Sequence, residues 1–244
     1  NVDVITAEDI ESRKFKTVIE ALNSLSGVSI SSNGGIGQTS SVYLRGMDSK
    51  RTLVLIDGVR YNDITTPNGA ANFEHLMIND IERIEVIKGA QSSIWGADAS
   101  AGVINIITKS AQMGTSGNAT IEYGRYNSKI ARANISHKNE NFDAKFGVTR
   151  VDTDGFSAMT PKGEKAKNYE DDGYENTTVN LKLGYNFDDS NRVSTSYEII
   201  DTKVDMDGYD SSYNPVPNNK DIAKTKTHLA NITYENRNDI ALTK

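Results

Sequence analysis

Cysteine is absent from all 244 residues, so disulfides and thiolate metal sites are excluded and redox chemistry leaves no mark of the compartment. Surplus positive charge is absent too. The 27 Lys and Arg residues stand against 33 Asp and Glu, a formal net charge of −6 that argues against nucleic acid as a partner. No stretch nears the roughly 20 consecutive apolar residues of a membrane helix. Any membrane crossing must therefore be built from strands, whose alternation averages to a mild hydropathy. The sequence opens at Asn1 with neither Met nor a basic-then-apolar leader, which reads as a processed or trimmed start. A nucleophile with its general base is not supplied, and His75, His137 and His228 lie scattered in unlike contexts. Neither a hydrolytic triad nor a zinc site is expected, and the chain reads as non-enzymatic.

What is present falls into two halves with different patterning, 1–110 and 111–244. In the first half, Thr6 with Asp9 three residues on predicts a capped helix start. Val18, Ile19, Leu22 and Leu25 share one helical face, which Gly27 can terminate. Short β-rich runs at 28–30, 41–44, 53–56, 81–87 and 103–107 are separated by Gly or Asn turn chemistry. Roughly 110 residues are enough for a core of their own. The glycine-rich segment 33–37 resembles a phosphate-cradling loop only superficially, because a β-rich run rather than a helix follows it.

The second half alternates with period two. Phe142, Ala144, Phe146 and Val148 are offset by Asp143, Lys145 and Gly147; Val179, Leu181, Leu183, Tyr185 and Phe187 are offset by Asn180, Lys182, Gly184 and Asn186. One face is greasy and the other wet, which also fits a soluble antiparallel sheet with one solvated side. Connection lengths tilt the choice. Tight turns at 138–141, 187–191 and 236–239 alternate with long polar connections at 152–175 and 204–224, the sorting expected of an outer-membrane barrel with its long loops extracellular. Asn-X-Ser/Thr triplets at Asn118, Asn134, Asn176 and Asn231 fit a glycosylation pattern but fall mostly inside predicted strands, and read as β composition.

Five segments, 21–28 (ALNSLSGV), 43–46 (YLRG), 52–60 (TLVLIDGVR), 81–89 (IERIEVIKG) and 93–108 (SIWGADASAGVINIIT), together resemble the plug of TonB-dependent outer-membrane receptors. The resemblance implies an α+β plug domain over 1–110, lodged inside an antiparallel transmembrane β-barrel of about 22 strands. Residues 111–244 would then be the first six or seven strands, so the chain looks truncated. The family takes up scarce nutrients with energy passed on by TonB, whose contact segment is not visible before Asn1. Outer-membrane lipid is the expected surrounding of the greasy face. Arg45 and Asp57 read as structural charges at the plug surface paired with barrel groups.

Within the family, 30–46 (ISSNGGIGQTSSVYLRG) and 53–62 (LVLIDGVRYN) are most similar to cobalamin receptors. Two plug tips, 33–41 and 62–72, carry neutral hydrogen-bonding groups suited to a corrinoid ringed by amides. Gln38, Thr39, Ser40, Ser41, Asn62, Asn68 and Asn72 are the expected substrate contacts. The same resemblance implies calcium held by acidic residues of two extracellular loops, here Glu170, Asp172, Asp210 and Asp221, with Glu170 standing where an Asp is expected. Neither Asp152-Thr-Asp154-Gly nor Asp205-Met-Asp207-Gly completes an EF-hand loop. The rival reading is a ferric siderophore or haem receptor on the same scaffold, favoured only by Lys50 and Arg51. A receptor that senses its ligand and a soluble two-layer binding module are the remaining alternatives.

Overall fold

A computed structural model of the chain describes residues 2–65, 68–78, 80–158, 169–212 and 214–237. The first half begins with β1 (Val2–Thr6) and α1 (Ala7–Arg13), whose start is closed by the expected capping box. The Thr6 side chain accepts from the Asp9 amide, and the Asp9 carboxylate accepts from the Thr6 amide. Thr17 caps α2 (Val18–Asn23) by accepting from the Glu20 amide, and Val18, Ala21 and Leu22 turn its apolar face into the core. A hairpin of β2 (Val28–Ser32) and β3 (Ser40–Leu44) stands apart from the main sheet.

That sheet is assembled from β4 (Thr52–Ile56), β5 (Val59–Arg60), β6 (Ile81–Lys88) and β7 (Gly102–Thr108), with a short α3 (Ser92–Trp95) before the last. Its order is β1-β6-β7-β4-β5, with β4 and β7 parallel and the other pairs antiparallel. Val54, Ile84, Val86, Ile104 and Ile106 are buried in one core with Val18, Leu22, Val42, Leu44 and Phe73. This is the mixed α+β fold expected of the plug.

The second half is one antiparallel sheet of six strands in sequence order: β8 (Gly114–Tyr123), β9 (Lys129–Lys138), β10 (Phe142–Thr153), β11 (Tyr174–Asn186), β12 (Asn191–Tyr209) and β13 (Pro215–Asn236). Its alternation sorts as expected. Along β10, Lys145, Gly147, Thr149, Val151 and Thr153 are buried toward the first domain, whereas Phe142 and Phe146 point away and are 37% and 45% exposed. Register extends that outer face across the sheet, with Phe146 opposite Ile135 and Leu181, Leu181 opposite Tyr197, and Tyr197 opposite Ala230. The inner face continues the plug core through Ile200 and Leu229. Among the described residues the sheet stays open, with β8 and β13 as its two edges.

The tight turns at 138–141 and 187–191 form as expected, closed by the Asn139 amide on Phe142 O (2.8 Å) and the Phe187 amide on Asn191 O (2.9 Å). The third expected turn and the start of a seventh strand fall largely on 238–244, outside the described residues. The long connection expected at 204–224 is corrected. β12 and β13 run on as a paired ribbon, Val204 opposite Ala223 and Met206 opposite Asp221, and only 210–214 turn. The physical reason is an alternation masked by charge. Val204, Met206 and Ala223 pack inward on Met77, Ile130, Val151 and Tyr174, while Lys203, Asp205 and Asp207 between them gave the segment a loop-like polarity. At 19 and 22 residues, β12 and β13 far exceed the about 9–11 residues a barrel strand needs to cross a bilayer, so they project well beyond it.

Candidate functional site

The first plug tip closes when the Asn33 amide donates to Thr39 O at 3.1 Å and the Gln38 amide to Gly35 O at 3.3 Å. It lies against the barrel wall. Gly37 has φ +87°, and a Cβ there would stand 2.1 Å from the Tyr174 ring, so no side chain fits. The Gln38 side chain is buried and donates to Asp205 O across the domain boundary at 2.8 Å. Ser40 is buried as well, donating to Gln38 O at 2.9 Å. The expectation that Gln38 and Ser40 face a ligand is therefore corrected: both side chains hold the tip together and onto the wall. Thr39 is exposed and Ser41 half-buried.

In the second tip Asn62 is corrected in the same way. Its carbonyl accepts from the Val54 amide (2.8 Å) and its amide donates to Thr52 O (3.0 Å) and Gly69 O (3.1 Å), which stitches the tip to β4. Asn68 is exposed, its carbonyl accepting from the Ala70 amide. Asn72 is half-buried and donates to Asp63 at 3.0 Å. Of the seven expected contacts, Thr39 and Asn68 are exposed and Ser41 and Asn72 half-buried. The cationic pair is tempered, since Lys50 lies 3.4 Å from Asp48.

Beside the first tip the acidic residues gather, though not the set expected. Glu170 and Asp172 are only 6% and 3% exposed. Both Glu170 carboxylate oxygens, Asp172 Oδ1 and Asp207 Oδ1 are buried without a hydrogen-bond partner. Burial, with the charges of Asp207, Glu170 and Asp171 added, pushes the Asp172 carboxyl up to about 6 against the Ala158 amide that donates to it at 2.9 Å. Asp210 and Asp221 are corrected. Asp210 closes its own turn by accepting from the Ser212 and Asn214 amides (2.8 and 2.9 Å), and Asp221 stands exposed on β13. Asp207, by contrast, lies close enough to Asp172 and Glu170 for their charges to act on one another. Its signal was the Asp205-Met-Asp207-Gly run, and it becomes legible only once β12 is known to continue. Among the described residues no group of three or more acidic or His side chains is arranged to hold a metal ion as it stands. Orphaned buried carboxylate oxygens nonetheless fit a hard, oxygen-seeking cation.

Tyr174 connects this cluster to the plug and was missed in the sequence. Its ring packs under Gly37 and stacks on His75 at 5.9 Å and 8°, and Asn176 donates to both the Tyr174 hydroxyl (2.8 Å) and His75 O (3.0 Å). Burial holds His75 down at about 4, and burial raises Glu74 beside it to about 7. Further along β11, Asp57 pairs with Lys182 at 2.9 Å, the plug-to-barrel pairing expected of it.

Residues 1–103 match the family described as the TonB-dependent Receptor Plug Domain. Over 193 residues the chain is 35% identical to the vitamin B12 transporter BtuB of Vibrio vulnificus (strain YJ016), covering 78% of this chain and 30% of that protein. Over 117 residues it is 44% identical to BtuB of Vibrio cholerae serotype O1 (strain ATCC 39541 / Classical Ogawa 395 / O395), covering 47% of this chain and 19% of that one. The chain thus spans about a third or less of the length of these curated relatives. Among solved structures, Pseudomonas aeruginosa FpvA bound to heterologous pyoverdines aligns with a TM-score of 0.78 at 14% identity, over 98% of this chain and 32% of that one. The ferric yersiniabactin uptake receptor FyuA from Yersinia pestis aligns with a TM-score of 0.74 at 18% identity, over 98% and 38%. Those two likenesses speak to fold alone. The plug match, the sequence relatives and the shared architecture agree: residues 1–103 match a TonB-dependent receptor plug domain, and the strands that follow have the fold of such receptors' antiparallel barrel wall.

Proposed function

We propose that the receptor containing this chain imports cobalamin or a related corrinoid across the outer membrane, energised by TonB, with the outer sheet face against lipid and the ligand received over the plug tips. The observation that carries the ligand class is the neutral chemistry of those tips. Thr39, Ser41, Asn68 and Asn72 present uncharged donors and acceptors, and the neighbouring Lys50 is already engaged with Asp48. An anionic ferric siderophore calls for desolvated cationic partners, whereas a corrinoid fringed by amides is matched by hydroxyls and carboxamides. The relatives named as vitamin B12 transporters agree with this choice. Calcium belongs to the same proposal: Glu170, Asp172 and Asp207 would hold it, and the ion would supply the positive charge their buried oxygens lack. The test is a titration of the full-length receptor with cyanocobalamin and, in parallel, with a ferric catecholate. Saturable cyanocobalamin binding that Thr39→Ala or Asn68→Ala weakens is expected. Binding of the ferric catecholate instead, lost when Lys50 and Arg51 are neutralised, would overturn the corrinoid assignment and leave the receptor class intact.

A further inference from the structure

Two lysines face the plug from neighbouring barrel strands, and they are directly opposite one another. Lys145 of β10 and Lys182 of β11 are register partners on the inner face. Like charges placed opposite each other repel, so this pair disfavours its own sheet unless something compensates it. The compensation comes from the plug. Lys145 pairs with Asp80, both side chains being under 8% exposed, and donates to Lys109 O at 2.9 Å. Lys182 pairs with Asp57 at 2.9 Å and donates to Thr108 O at 3.2 Å. Each lysine therefore holds one plug carboxylate and one of two consecutive backbone carbonyls at the end of β7.

The two aspartates are alike in conformation. Asp57 has φ 48° and Asp80 φ 54°, the left-handed region that L residues seldom adopt. Both are tied to the end of β7: Asp57 accepts from the Thr108 amide (3.0 Å) and hydroxyl (2.7 Å), and Asp80 O accepts from the Lys109 amide at 2.8 Å. The carboxylates are thus rigidly presented from two separate turns. We propose that Lys145 and Lys182 are plug-seating residues: the barrel wall carries a self-repelling lysine pair that the end of β7 and its two left-handed aspartates neutralise, which fixes the plug to the wall at this point.

Because the seat involves neither the mouth nor a ligand, its test is independent of the transport reading. Full-length receptor is placed in a planar lipid bilayer, and the urea concentration at which ion conductance appears, as the plug lets go, is recorded without ligand. Asp57→Asn with Asp80→Asn, which alters no barrel strand, should lower that concentration. Lys145→Gln with Lys182→Gln should lower it less, because the lysine–lysine repulsion disappears with the two charges even though the aspartates lose their partners. Combining all four should be no worse than the aspartate pair alone. Exchanging the charges, Asp57→Lys with Lys182→Asp, should recover part of the loss. A wild-type urea threshold in the aspartate pair, or additive losses in the fourfold variant, would overturn the proposal.

Discussion

Adjacent in sequence where plug meets wall, Glu74 is half-buried and His75 buried, and burial moves them in opposite directions. Glu74, at about 7 in the folded chain, keeps a proton that the unfolded chain releases near 4.5. Its contribution is therefore complete below pH 4.5 and lost as pH rises to about 7. His75, at about 4, refuses a proton that the unfolded chain takes up near 6.5. That contribution is complete above pH 6.5 and lost as pH falls toward 4. Between these limits the two slopes oppose each other, so the net contribution of this pair should be nearly flat from pH 4.5 to 6.5. Glu74→Gln leaves the histidine limb of the pair unopposed. The urea midpoint of the plug in the full receptor should then climb between pH 4 and 6.5, and at pH 8 the plug should gain about 1–3 kcal/mol. An unchanged flat profile in that variant would count against the assignment. Asp172 and Asp207 allow a second prediction at this scale. An ion that binds only the ordered mouth stabilises it by RT ln(1 + [L]/Kd), so cyanocobalamin affinity should rise with calcium, and Asp172→Asn or Asp207→Asn should abolish that rise. Equal affinity in calcium and in chelator would remove calcium from the proposal.

The β2–β3 hairpin reaches the mouth as an element because its tip is nearly free of side chains where it meets β11. Gly37→Ala would drive a methyl group into the Tyr174 ring at 2.1 Å while also straining φ +87°. The tip must then withdraw, breaking the Gln38 bond to Asp205 O and moving Thr39. A loss of about 1–3 kcal/mol in plug stability is expected. Weaker cyanocobalamin binding should accompany it, with partial recovery when Tyr174→Ala makes room. Wild-type urea midpoints and binding in Gly37→Ala would mean that the tip is not seated on Tyr174. The same logic explains β12 and β13. A strand whose outward positions are charged and whose inward positions are Val204, Met206 and Ala223 looks like a polar loop until the wall it packs against is known.

For the whole molecule, the outward row of Ile135, Phe146, Leu181 and Tyr197 has no protein covering among the described residues. Lipid is the covering the barrel reading supplies. Full-length receptor should extract only with detergent, and Leu181→Arg should cost about 2–4 kcal/mol in a bilayer folding assay if it sits near mid-membrane. A neutral substitution would argue that this face meets water. Much of this was legible in the sequence because it is local. The Thr6 to Asp9 box, the apolar face of α2, the five plug strands and the greasy and wet faces of β10 and β11 all follow from periods of 3.6 and 2 and from capping chemistry. The period of the pattern changes near 110, where the short plug strands give way to long alternating ones. What tertiary structure alone decided is the occupation of polar groups. Gln38, Ser40 and Asn62 have the same side chains as any ligand contact, but packing buries them and gives their hydrogen bonds to the protein itself. Asp207 joins Glu170 and Asp172, while Asp210 turns to its own backbone, because the continuation of β12 sets where each carboxylate falls. Lys145 and Lys182 look like any wet-face lysines on neighbouring strands. Only antiparallel register brings them opposite each other, and only the plug's seat makes that arrangement stable.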